Sequence, residues 1–232
     1  VMKNITETKK IFVIEETIDL LNTLDAGQSF MWQDISEKGK IIFEGYFEDI
    51  KLQLEQKEKN ISVTVFSDNY DTNFNFRLQK YLGEPLNKIE GFETLLNDKI
   101  ISPVIKKYPG LRILKQDPWE ATIGFITSSC SNLPRIKKHM TQLRKVNGGI
   151  FPKPEDILYL GENDLRKLGF GFRSPYIVDA ANTILNENIS FEHLKKAPYE
   201  IALNDLLKIH GVGRKIADCI LAYSLDKSDS FP

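Results

Sequence analysis

The sequence predicts an α+β protein, with an antiparallel sheet first and helices second. Three observations predict it. Period-two alternation of apolar and polar residues is confined to the first 70 or so positions, the mark of strands with one solvated face. After about residue 85 the alternation stops, and helix-start signals recur as far as residue 226. Strands and helices are therefore segregated, which excludes a parallel sheet of alternating β and α units. Residues 1–110 are assigned to the sheet and its packing helices, and residues 111–232 to the helical part.

The elements follow in order. Ile11-Phe12-Val13-Ile14 is a short apolar run that suits a strand. Ile18–Leu24 reads as a helix. Phe43, Gly45 and Phe47 alternate with charged or polar neighbours, as do Leu52 and Leu54 and then Ile61, Val63 and Val65. The polar stretch Glu55-Gln-Lys-Glu-Lys-Asn60 reads as the turn between two of these strands. A second packing helix is expected at Phe74–Leu82. Asp117-Pro118 is a strong start, with Asp as N-cap and Pro in the first turn, and predicts a helix over 118–129. Asn132-Leu-Pro134 starts another, which Gly148-Gly149 ends. Further starts stand at Pro154-Glu155-Asp156, Glu162-Asn163-Asp164, Ser174-Pro175 and Pro198-Tyr199-Glu200.

Composition removes several function classes. The 232 residues are 41% hydrophobic and 27% charged, enough apolar surface for a core without staples. No run of about 18 apolar residues exists, so no membrane-spanning helix is expected, and the chain reads as cytoplasmic. Cys130 and Cys219 are the only cysteines, too few for a four-thiolate zinc or iron–sulfur site. They read as two free thiols. His139, His193 and His210 do not cluster, so no metal and no cofactor are expected. His139 and His193 fit helix patterns as ordinary core or surface residues. Net charge is −1, but residues 1–110 carry 14 basic and 18 acidic groups, and residues 111–232 carry 17 and 14. Any face for a polyanion therefore belongs to the second half. Between Cys130 and Lys145 stand Arg135, Lys137, Lys138, Arg144 and Lys145 without an acid, which reads as a local basic face.

The sharpest motif is Leu206-Leu-Lys-Ile-His210-Gly211-Val212-Gly213-Arg214-Lys215-Ile-Ala-Asp218-Cys219. One helix runs into Gly-Val-Gly and a second begins at once. The glycines permit a tight hairpin. They also bare backbone N–H groups at a helix N-terminus, which favours a phosphate. Lys215 falls in the first turn, where the helix dipole and partial desolvation both favour the uncharged, nucleophilic amine. A lysine that only binds phosphate is the ordinary use of such a position.

This segment resembles the helix-hairpin-helix of DNA base-excision glycosylases. The rest of the chain is similar to the 8-oxoguanine DNA glycosylase/lyase family. Gly27-Gln28-Ser29-Phe30-Met31-Trp32 resembles that family's Gly-Gln-x-Phe-x-Trp signature. Gln116-Asp117-Pro118, Phe125-Ile-Thr-Ser-Ser129, Asn132 and Arg135 resemble its next block, and Leu168-Gly-Phe-Gly-Phe-Arg173 a third. The resemblance is collinear from about Asp25 to Leu225. It implies a TBP-like N-terminal sheet and a helical glycosylase domain, with the flipped base held in the cleft between them.

It also implies roles. Lys215 attacks the sugar C1′, expels the base and forms a Schiff base, and elimination of the 3′ phosphate then nicks the strand. The Gly27 carbonyl accepts from N7–H, which 8-oxoguanine has and guanine lacks. The Cys219 thiol, one turn from Lys215, packs on the flipped base. Arg135 and Arg173 hydrogen-bond the orphaned cytosine, Phe172 fills the stack, and Asn132 belongs to the same loop. Gly211, Val212 and Gly213 approach the backbone of the DNA. The implied partner is double-stranded DNA with 8-oxoguanine opposite cytosine, bound by a monomer.

Three positions depart from the family pattern. The family's essential aspartate follows a Pro-Val-Asp segment that has no counterpart before Pro232, and Asp226 and Asp229 do not match it. Cys130 stands where the family has an asparagine, and Met31 where Arg is common. Two other readings compete. An alkylated-base glycosylase shares the layout but lacks the hairpin lysine. A non-catalytic helix-hairpin-helix module would bind DNA without regard to damage.

Overall fold

The computed structural model describes residues 10–58, 60–186 and 189–232. It forms two compact units, the first closing at Leu114 and the second opening at Lys115. The boundary falls four residues beyond the one expected, because the 111–114 segment is tied back into the first unit. Gln28 Nε2 donates to the Arg112 carbonyl at 2.8 Å, and Gln28 Oε1 accepts from Leu114 N at 3.0 Å.

The first unit is built on five antiparallel strands in the order β1-β5-β4-β3-β2. They are β1 (Lys10–Ile14), β2 (Trp32–Asp34), β3 (Ile42–Phe47), β4 (Ile50–Lys57) and β5 (Asn60–Val65). Leu52, Leu54, Ile61, Val63 and Val65 point to one face and are fully buried, which is the expected alternation. Two short helices, α1 (Leu20–Leu24) and α2 (Phe74–Tyr81), give Leu20, Leu24, Phe74, Leu78 and Tyr81 to the same core. On the opposite face β4 and β5 are polar, while β1 leaves Ile11 and Val13 exposed. Across it Gln53 Nε2 donates to Glu44 at 2.9 Å, and Lys51 pairs with Glu44 at 2.9 Å.

Two expectations for this unit need correction. The polar stretch 55–60 is not all turn: the strands continue to Lys57 and resume at Asn60, and these two residues pair with each other. Glutamate and glutamine fit the solvated face of a strand as well as they fit a turn. Trp32–Asp34 is an edge strand, a role the signature residues did not announce. Trp32 is buried opposite Gly45, and its Nε1 donates to the Tyr81 hydroxyl at 2.8 Å. Two helices without expected counterparts, α3 (Phe92–Asn97) and α4 (Ile101–Lys107), fill the stretch before Leu114.

The second unit is helical. It holds α5 (Pro118–Ser128), α6 (Leu133–Val146), α7 (Pro154–Lys167), α8 (Ser174–Asn186), α9 (Phe191–Lys196), α10 (Tyr199–Leu206) and α11 (Arg214–Ser224). The cap signals act as read. Asp117 accepts from Glu120 N at 2.9 Å, Asn132 accepts from Arg135 N at 3.1 Å, and Gly148 and Gly149 follow α6 with positive φ. The start at Glu162 is real, since Gly161 (φ 69°) breaks α7 immediately before it. Helix α5 is buried from Ala121 to Thr127 and forms the centre, with α11 packed against it.

Candidate active site and nucleic-acid interface

The hairpin is set by α8. Tyr176 packs against Gly211, where an added Cβ would come within 2.5 Å of the ring. Gly211 also has φ 87°, a conformation that other residues adopt only under strain. The same ring meets His210 edge-on at 4.8 Å, and the Asp179 carboxylate accepts from His210 N at 2.8 Å. Val212 is buried beneath the turn. Gly213 then caps α11 with backbone alone, and no side-chain cap hydrogen bond is made there among the described residues. Nothing stands within 4 Å of a Cβ at Gly213, so a ligand has room to approach the first-turn N–H groups.

Lys215 is exposed in that first turn. The expected partial desolvation is therefore not supplied by the described residues, and the helix N-terminus remains as the local field. Behind it, the buried Asp218 carboxylate accepts from the Tyr199 hydroxyl at 2.7 Å. Arg214 donates to the same hydroxyl at 3.0 Å and stands 3.6 Å from Asp218. This triad ties α10 to the start of α11. Cys219 is buried one turn beyond Lys215, and burial pushes its thiol up, against the opposing pull of the Lys215 charge. It therefore presents an uncharged sulfur near neutral pH.

The residues assigned to the opposite strand lie on two segments of the second unit. Arg135 is exposed on the first turn of α6, and Asn132 is that helix's N-cap. Phe172 is 48% exposed on a 3₁₀ turn, Gly171–Arg173, so it is not a core residue. Arg173 is placed differently from Arg135. It is 2% exposed, and its guanidinium donates to the carbonyls of Ser129 and Cys130, the latter at 2.9 Å. It organises the backbone leading to α6, where Cys130 sits at φ 50°.

The basic run also needs correction. Lys137 is buried, and Arg144 is buried with its guanidinium on Glu120 at 2.6 Å and over the Phe151 ring. Arg135, Lys138 and Lys145 remain on the surface. One-sided charge in sequence thus became part core, because the acid that balances Arg144 comes from α5.

In the first unit, Gly27 has φ 84° and stands three residues after the end of α1. Its neighbour Gln28 is buried and does the anchoring described above. Sequence reasoning named Gln28 only within a motif and gave it no role. No local signal marks that role, because its partners Arg112 and Leu114 stand more than 80 positions away. Asp226, which lacks the motif of the essential aspartate, is bound to Lys115 at 2.5 Å and Lys195 at 2.9 Å. Burial raises its carboxyl, but these two ammonium groups hold it below the usual range. Cys130 is exposed and both thiols are free.

Comparison with known proteins agrees with this arrangement. The family model for the 8-oxoguanine DNA glycosylase N-terminal domain matches residues 10–122. The N-glycosylase/DNA lyase of Saccharomyces cerevisiae is 28% identical over 96% of this chain and 67% of its own length. The solved structure of MBOgg1 with a low-affinity DNA ligand is 30% identical, with TM-score 0.81, over 97% of this chain and 79% of that one. The apo 8-oxoguanine glycosylase/lyase of Clostridium acetobutylicum is 25% identical, with TM-score 0.82, over 97% and 82%. The chain thus spans about two thirds of the yeast relative. A sheet domain followed by a helical domain with a lysine-bearing helix-hairpin-helix defines a base-excision DNA glycosylase. Within that class, the chain belongs to the 8-oxoguanine DNA glycosylase family.

Proposed function

We propose that this chain removes 8-oxoguanine from duplex DNA and cleaves the resulting abasic site through Lys215. The observation that carries the reading is the start of α11. There an exposed lysine, an N-terminus without a side-chain cap and the Cys219 sulfur share one end of a helix placed by a glycine hairpin. The backbone N–H groups suit a DNA phosphate, and the amine beside them suits attack on the attached sugar.

The chemistry follows. The Lys215 Nζ lone pair attacks C1′, and the glycosidic bond breaks with its electrons leaving on the base, which takes up a proton. The aminated sugar opens to an imine. Loss of a C2′ proton then expels the 3′ phosphate and nicks the strand. Gly27 is assigned to the lesion's N7–H and Cys219 to the face of the base. Asn132, Arg135, Phe172 and Arg173 are assigned to the cytosine strand. The protein works as a monomer, wherever the DNA lies in its cell, in nucleoid or nucleus.

Single-turnover assays on an 8-oxoguanine:cytosine duplex test this. Release of the free base, followed by a nick 3′ to the site, is expected. Equal binding of damaged and undamaged duplex, with no base released, would contradict the reading and leave a plain DNA-binding module.

A further inference from the structure

One buried titratable group has no part in this mechanism. His139 lies on α6 one turn beyond Arg135 and is 4% exposed. Its ring centroid is 4.7 Å from that of Phe170, with the planes 30° apart. The imidazole hydrogen-bonds the Gly169 backbone in the sense that favours a protonated nitrogen, as a carbonyl acceptor does. Nε2 is the nitrogen turned to that residue, 3.3 Å from where a Gly169 Cβ would stand. Nδ1 is buried and has no partner among the described residues.

These contacts suit a neutral ring with its proton on Nε2. A second proton on Nδ1 would be buried without an acceptor among the described residues, on a ring already opposed by the charges of Arg135, Arg173 and Lys138. Gly169 and Phe170 lead directly into the 3₁₀ turn that carries Phe172 and Arg173. Arg173 in turn grips the Ser129 and Cys130 carbonyls, just before the Asn132 cap of α6. The connections form a closed ring: α6, its imidazole, the 169–173 turn, the guanidinium, the 129–130 backbone and α6 again. All four residues assigned to the cytosine strand sit on it.

We infer that His139 is a positioning residue that fixes the spacing between Arg135 and the Phe172–Arg173 turn, and so sets selectivity for the base opposite the lesion. The inference rests on the assignment of those residues to the opposite strand. His139 touches no substrate. It acts through the turn it holds, and only as a neutral donor.

Single-turnover excision is measured with 8-oxoguanine opposite cytosine and opposite adenine, for wild type, His139→Leu, His139→Gln and Arg135→Ala. Leucine fills the space without a donor, whereas glutamine retains one. His139→Leu is expected to lower the cytosine-to-adenine rate ratio about tenfold. Imine trapping on a preformed abasic duplex stays close to wild type, and His139→Gln keeps most of the ratio. An unchanged ratio in His139→Leu, with a reduced one in Arg135→Ala, overturns the inference alone. An unchanged ratio in Arg135→Ala overturns the opposite-strand assignment on which it rests. Loss in His139→Gln as complete as in His139→Leu also overturns it, since the donor then does nothing. If His139→Leu does not fold, the pH series decides. The wild-type ratio falls on acidification and that of His139→Gln stays flat, whereas parallel slopes overturn the inference.

Discussion

Lys215 owes its setting to backbone more than to side chains. It stands on a helix whose cap is a glycine, which makes no side-chain cap hydrogen bond among the described residues. Its motif was legible because the Gly-Val-Gly hairpin needs those residues in that order. The reason for the first glycine was not legible, because Tyr176 arrives from α8. Gly211→Ala would demand both a left-handed alanine and retreat of that ring. A cost of about 1–3 kcal/mol is expected from the backbone strain alone. Denaturant unfolding checks the stability, and the same variant should release base more slowly because α11 is displaced. His139 gives a second residue-scale prediction. Burial and neighbouring cations hold its pKa below the ordinary 6.5, so the unfolded chain takes up the proton first as pH falls. Stability is then full above about pH 6.5 and declines below it, toward the folded-state pKa. Melting temperatures from pH 8 to 5 should show a smaller acid decline in His139→Gln than in wild type.

At the scale of elements, caps and alternation carried most of the sequence reading. Asp117 and Asn132 mark helix starts because each accepts from a backbone N–H of its own first turn, and Pro154 because it stands in that turn. The edge strand at Trp32–Asp34 was hidden because three residues make no periodicity and its pairing comes from β3. The basic run misled for a similar reason: Arg144 is neutralised by Glu120, on another helix. Asn132 serves two purposes at once, as cap of α6 and as a residue assigned to DNA. Asn132→Ala should cost about 1 kcal/mol through the cap. Asn132→Ser should recover most of that in thermal melts. If the side chain also meets DNA, the serine variant will keep stability and still lose affinity.

At the scale of the whole molecule, each unit has its own core and its own anchoring polar residue. Gln28 joins the signature segment of the first unit to the backbone at Arg112 and Leu114, a span of more than 80 positions in sequence. Gln28→Ala leaves two buried backbone groups unpaired, and a loss of about 1–3 kcal/mol per group is the scale expected. Chemical denaturation should show the loss in the first unit. The fold class was readable because strands and helices are segregated along the chain. The anchoring was not, because it joins residues far apart. The proposed function centres on one chemical event, the capture of a sugar carbon by Lys215. Borohydride reduction of a reaction on an 8-oxoguanine:cytosine duplex, followed by peptide mapping, tests this most directly. A covalent adduct on the peptide holding Lys215, absent in Lys215→Gln while that variant still binds DNA, is the predicted result. An adduct on another residue, or trapping undiminished in Lys215→Gln, would contradict it.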